Sequence, residues 1–124
     1  MSNYVDGFVI PISKAKIEQY REMAEKACAI WLEYGALDYV ECIGDDMEMQ
    51  GVVPFTKLAN AGPDETVVFA WITYRSREQR DEVMAKIMTD PRMNEMMDCA
   101  NPAFDCARMA CGGFKVIVKA GTPN

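Results

Sequence analysis

The chain has 124 residues, half of them hydrophobic and about a quarter charged, the size and balance of one domain with its own core. Its net charge of −6 repels phosphate backbones, so nucleic acid is not an expected partner. It contains no histidine, which excludes Ser-His and Cys-His nucleophile pairs, His-ligated zinc and proximal-His haem within the chain.

Residues 4–10 (YVDGFVI) are β-rich and run into Pro11, which predicts a first strand. Ser13 is a suitable helix N-cap. Behind it Ile17, Tyr20, Ala24, Ala27, Cys28 and Trp31 recur at three- and four-residue spacing, which predicts an amphipathic helix ending at Gly35. Residues 37–43 (LDYVECI) alternate and read as a second strand. Residues 44–63 hold turn residues and read as a loop-rich insertion. Residues 66–74 (TVVFAWITY) are the strongest strand in the chain.

Ser76 opens a second helix, with Gln79 completing a capping box and Val83, Met84, Ile87 and Met88 on its apolar face. Asp90-Pro91 reads as an N-cap with proline at the first helical position, ahead of a short helix carrying Met93, Met96 and Met97. A loop then leads to a last strand at residues 114–119 (FKVIVK). The order predicts an α+β ferredoxin-like βαββαβ sandwich with an antiparallel sheet, in one domain spanning residues 1–124. The basic residues, among them Lys14, Lys16, Arg21, Arg75, Arg77 and Arg80, sit among acidic ones and are expected on solvated helix faces. No apolar run reaches bilayer length, so no membrane partner is expected. The N-terminus has no basic n-region ahead of its apolar stretch. The expected setting is the cytoplasm, with reduced thiols.

Strands one and three are apolar on both sides: Tyr4, Phe8 and Ile10 against Val5 and Val9, and Val67, Phe69 and Trp71 against Val68, Ala70 and Ile72. Strands of that kind are covered on both faces. Two main helices do not cover both faces of such a sheet, so a second copy is expected to pack sheet to sheet. Asp6 and Glu41 interrupt this pattern. Each lies mid-strand between apolar neighbours and must there be paired, hydrogen-bonded or protonated. Either is a candidate base; the competing reading is a structural ion pair, or an edge position facing water.

The cysteine spacings match no metal motif, so no metal is expected. Cys28 and Cys42 read as small core residues, and Cys106 beside Arg108 as a plain reduced thiol. The Gly44–Gly51 run, GDDMEMQG, reads as a turn rather than a cation site. The methionines from Met84 to Met109 read as core filling more readily than as a pocket lining. Arg92 near Asp90, and Arg108 near Asp105, have two readings: a clamp for an anion, or an anchor for the loop. Gly112-Gly113 reads as a tight turn or close backbone approach before the last strand.

Taken together, YVDGFVIPI, GDD, DETVVFAWITY, Arg80-Asp81, DPRM and FDCARMACGGF resemble the DUF1428 family of small bacterial proteins of unknown function, over nearly the whole chain. One departure is Ala103, which interrupts the family's Pro-Phe-Asp run. The resemblance implies a dimeric α/β-barrel, a fold shared with cofactor-independent monooxygenases and small isomerases. Fold alone does not choose among them. The expectation is therefore a homodimer that binds a small, partly apolar molecule without a cofactor. Asp6 or Glu41 would act as base. Phe8, Phe69, Trp71 and Met109 would line the pocket, and Arg92, Asp105 or Arg108 would hold a polar group. The alternative is a dimeric interaction or structural module with no ligand. A thiol role for Cys106 or Cys111 is the weakest of the three.

Overall fold

The computed structural model describes residues 3–96 and 102–121. Strand β1 (Tyr4–Ser13) leads through one 3₁₀ turn into helix α1 (Ile17–Glu33) and strand β2 (Asp38–Ile43). A single helical turn, α2 (Phe55–Leu58), precedes β3 (Glu65–Tyr74), α3 (Arg77–Thr89), α4 (Pro91–Met96) and β4 (Ala110–Lys115). The strands form one sheet in the order β2-β3-β1-β4, with every neighbouring pair antiparallel. This is the expected α+β ferredoxin-like arrangement.

The expected caps are in place. Ser13 Oγ accepts from Ala15 N–H, and Gly35 turns the chain out of α1 with φ +110°. Ser76 Oγ accepts from Gln79 N–H at 3.1 Å. The Gln79 side chain accepts from Arg75 N–H and donates to Gly35 O at 2.7 Å, so it ties the start of α3 to the end of α1 as well as capping.

Both long helices pack on one face of the sheet. Tyr20, Ala24, Ala27, Ile30 and Trp31 of α1 and Val83 and Ile87 of α3 are buried there. They meet Tyr4, Ile10 and Ile12 of β1 and Val68, Ala70, Ile72 and Tyr74 of β3. The opposite face carries Val5, Val9, Trp71, Phe69 and Phe114, of which Phe69 is 44% and Phe114 60% exposed. The ring of Phe55 in α2 lies 5.7 Å from that of Phe69, which in turn lies 5.6 Å from that of Trp71.

Strand limits and strand faces depart from the sequence reading in four places. Strand β1 runs past Pro11 to Ser13. Beyond Val9 it pairs with β3 alone, and proline is tolerated where one side of a strand is an edge. The last strand lies four residues earlier than expected at its start; its ladder with β1 ends at Tyr4 opposite Lys115, with one further bond from Val116 N–H to Asn3 O. Gly112-Gly113 is therefore inside the strand and makes no turn. A Cβ on Gly113 would meet the Tyr4 ring, 2.7 Å from Cε2, and its hydroxyl, so the close-approach reading holds. Cys42 is exposed rather than in the core, since it lies opposite Phe69 on β3 and shares the open face.

Candidate functional site

Glu41 and its neighbours Tyr39 and Ile43 project from β2 toward the helices, level with Ile72, Ala70 and Val68 of β3. Its carboxylate is held by two phenols. Tyr20 of α1 donates to Oε1 at 2.6 Å, and Tyr39 donates to Oε2 at 2.8 Å. Burial and the adjacent Glu41 charge push both phenols well above the usual tyrosine range, so they remain protonated donors. Each carboxylate oxygen retains acceptor capacity for a further donor.

The group sits on the wall of a cavity of about 460 Å³ between the sheet and the helices. Phe8, Ala70 and Ile72 form its floor; Met23, Ala27 and Trp31 of α1 and Met84 and Met88 of α3 form its sides. Phe104, Met109 and Cys111 close one edge, with the Phe104 ring edge-on to Tyr20 at 5.6 Å. Met84, Met93 and Met109 pack against the core, as core filling requires, and also line this cavity, where their flexible thioethers suit an adaptable wall. Across Tyr20, Glu41 and Tyr39 lies a second, open groove of about 430 Å³ between α1 and β2.

Asp6 is 5% exposed and belongs to a different constellation. Its Oδ1 accepts from Arg80 at 3.0 Å, and Arg80 stacks over the Tyr4 ring at 4.9 Å. Burial raises the Asp6 carboxyl against the opposing pull of Arg80 and Tyr74. Trp31 Nε1 donates to the Tyr74 hydroxyl at 3.0 Å, which completes a buried chain from α1 to α3. Arg80 is therefore not on a solvated face: its side chain is 20% exposed and pinned between Asp6 and Asp81. The Arg80 Nε contact to Asp81 is 3.0 Å but poorly aligned, so Nε has no hydrogen bond and the attraction is one of charge.

The remaining candidates are spread over the molecule. Phe69 and Trp71 stand on the open face, across the sheet from Phe8, so the three do not line one pocket. Arg92 is engaged by Asp90, with Nε at 3.1 Å and Nη2 at 2.8 Å, and by Glu33, with Nη2 at 2.6 Å; Tyr34 also donates to Asp90. These bonds hold the Asp90 and Glu33 carboxyls below their usual range. Arg108 faces neither Asp105 nor empty space. It forms a two-pronged pair with Glu65 at 2.8 and 2.9 Å and donates to Asn60 O at 2.8 Å. Asp105 caps the short turn after it by accepting from Ala107 N–H at 3.0 Å. Arg92 thus ties the start of α4 to Asp90 and the end of α1, and Arg108 ties its turn to β3 through Glu65 rather than through Asp105.

Cys106 and Cys111 are exposed free thiols. Met97, Cys99 and Asn101 lie outside the described residues. Among the described residues no cluster of potential ligands would hold a metal ion, and no helix is long and apolar enough to cross a membrane. Sequence reasoning missed Tyr20 and Tyr39 as partners of Glu41. Their hydroxyls leave no periodic signal, because a tyrosine counts as apolar in the pattern that places its ring.

Solved structures of similar fold include a dimeric ferredoxin-like protein from an uncultured marine organism, with TM-score 0.62 and 10% identity, covering 97% of this chain and 100% of that one. A NIPSNAP family protein of unknown function from Agrobacterium tumefaciens matches with TM-score 0.57 and 14% identity, over 92% of this chain and 87% of that one. At such identities the likeness concerns the fold. Two bacterial relatives are closer in sequence: the uncharacterized protein YbaA of Escherichia coli K12 and that of Shigella flexneri are each 44% identical over 115 residues, 93% of this chain and 97% of theirs. The profile of a family described as a protein of unknown function, DUF1428, matches residues 3–106, and the chain belongs to that family.

Proposed function

We propose that this protein is a cytoplasmic homodimer that binds a small, mostly apolar molecule carrying one hydrogen-bond donor in the cavity between sheet and helices. The observation that carries this reading is Glu41, fixed by Tyr20 and Tyr39 on an otherwise apolar cavity wall. A cavity of that size and lining, with one convergent polar group, is the usual form of a small-molecule site. The carboxylate reads the donor; Phe8, Met84 and Met109 enclose the apolar body. If the bound molecule reacts, the chemistry is a cofactor-independent proton transfer. Glu41 takes the proton, and the tyrosine hydroxyls hold the carboxylate in place. Asp6, paired with Arg80, is assigned a structural role. The open face bearing Phe69 and Trp71 is assigned to the second copy, in keeping with the similar structure described as dimeric.

The test uses 2-naphthol, a small aromatic molecule with one hydroxyl donor, and 2-methoxynaphthalene, which lacks it. Saturable binding of 2-naphthol is expected by calorimetry, at least tenfold tighter than the ether and weakened by Glu41→Gln. Equal binding of the two probes, or none, overturns the ligand site. The apolar open face supports a second reading, a dimeric interaction module with no ligand. That reading predicts that Glu41→Gln alters stability but no probe affinity.

A further inference from the structure

Asp6, Glu65 and Asp90 are each paired with an arginine: Arg80, Arg108 and Arg92. Glu41 is not. Among the described residues no salt bridge reaches it, and its partners Tyr20 and Tyr39 are neutral donors. Two phenols satisfy part of the carboxylate's acceptor capacity but leave its charge uncompensated. A charge left so on an apolar wall is costly. Arg21 borders the outer groove but is held along α1 by Glu18 at 3.7 Å and Glu25 at 3.4 Å.

The surroundings suit a cation. Among the described residues, Glu41 is the one charged group on the cavity wall. Four rings follow one another around it. Phe104 lies edge-on to Tyr20, Tyr20 and Tyr39 both bond the carboxylate, and the Trp31 ring lies 6.0 Å from that of Tyr39. All four line the cavity. Aromatic rings attract cations over their faces, and clustered rings are a recurring seat for ammonium groups. The net charge of −6 favours the approach of cations over anions.

The shape of the cavity limits the rest of the molecule. Glu41, Ala70, Phe8 and Cys111 stand opposite one another on β2, β3, β1 and β4. This row crosses the whole sheet, three strand spacings or roughly 14 Å, and all four residues line the cavity. Ala70 leaves the floor low beside Glu41, and Phe8 and Met109 offer apolar contact beyond it. A molecule with its charge at Glu41 therefore has room for an apolar body lying across the sheet.

We infer that the cavity takes an amphiphilic amine, its protonated ammonium group seated on Glu41 among the four rings and its apolar body laid along the Ala70–Phe8 row. This rests on the ligand site proposed above and narrows the donor it reads to a cationic one.

The probes are 2-naphthylmethylamine, protonated at neutral pH, and 2-naphthalenemethanol, its neutral counterpart of the same shape. In calorimetry at neutral pH the amine is expected to bind saturably, at least tenfold tighter than the alcohol, and to displace 2-naphthol. Glu41→Gln, with its circular dichroism checked against the parent, is expected to bring both probes to the same affinity. The parent chain gives the same comparison without a variant: above the amine's own pKa the preference should vanish while the alcohol binds as before. An alcohol that binds the parent as tightly as the amine overturns this inference and leaves the ligand site standing. So does a preference that survives Glu41→Gln, since the charge is then read elsewhere, and so does an amine that fails to displace bound 2-naphthol. Binding of neither probe nor of 2-naphthol overturns the ligand site and this inference together.

Discussion

Glu41 illustrates how a single carboxylate is made tolerable on an apolar wall. A charge there is costly unless hydrogen-bonded, and Tyr20 and Tyr39 each give one short bond. Removing either hydroxyl, as Tyr20→Phe or Tyr39→Phe, is expected to cost about 1.5–3 kcal/mol, the range for a hydrogen bond to a charged group. Urea denaturation measures it, and a loss near zero for both would mean that the carboxylate is solvated. A second residue-scale case is Glu65. Bonds from Arg108 and from Gly62 N–H hold its carboxyl down to about 2, from an ordinary 4.5. The folded state therefore prefers the ionised form. The stabilisation is complete above pH 4.5 and is lost as pH falls toward about 2. The melting temperature of Glu65→Gln should lie below that of the parent at neutral pH, and the gap should close on acidification through this window. A gap that widens on acidification would contradict the assignment.

At the scale of elements, β4 shows local preference yielding to pairing. FKVIVK has more β-forming character than ACGGFK, yet the latter is the strand, because register is fixed by what lies opposite. Gly113 faces Asp6 and Gly112 faces Gly7 across the ladder with β1, and the missing side chain at Gly113 leaves room for the Tyr4 ring. Gly113→Ala is expected to destabilise by about 1–3 kcal/mol, as overpacking does. Gly112→Ala should cost much less, since a Cβ there meets Phe114 at an ordinary 3.8 Å. Comparable losses in chemical denaturation would remove the close-approach account. Helix α3 offers a simpler check: Ser76→Ala removes the N-cap bond and should cost about 1 kcal/mol.

At the scale of the whole molecule, one face of the sheet is committed to helices and the other is left apolar and open. Such a face on an acidic protein calls for a partner surface. Phe69→Lys substitutes a half-exposed position outside the helix-side core. It is expected to shift a dimer toward monomer in sedimentation while leaving the far-ultraviolet spectrum unchanged. Unaltered assembly would count against the sheet face as interface.

The sequence alone determined the element order, the caps at Ser13, Gly35 and Ser76, and the two-sided apolar strands, because periodicity and capping are local properties of the chain. It also marked Asp6 and Glu41 as carboxylates in need of partners. The tertiary structure decided which partners they found. Arg80 stands 74 residues from Asp6, and Tyr20 stands 21 residues from Glu41, separations at which spacing carries no information. It decided, too, that Arg92 and Arg108 are spent on Asp90, Glu33 and Glu65, and that Phe8 and Phe69 lie on opposite faces. Side-chain alternation shows which residues share a face within one strand; strand pairing decides which residues of different strands share it, and that is set by contacts far apart in the chain.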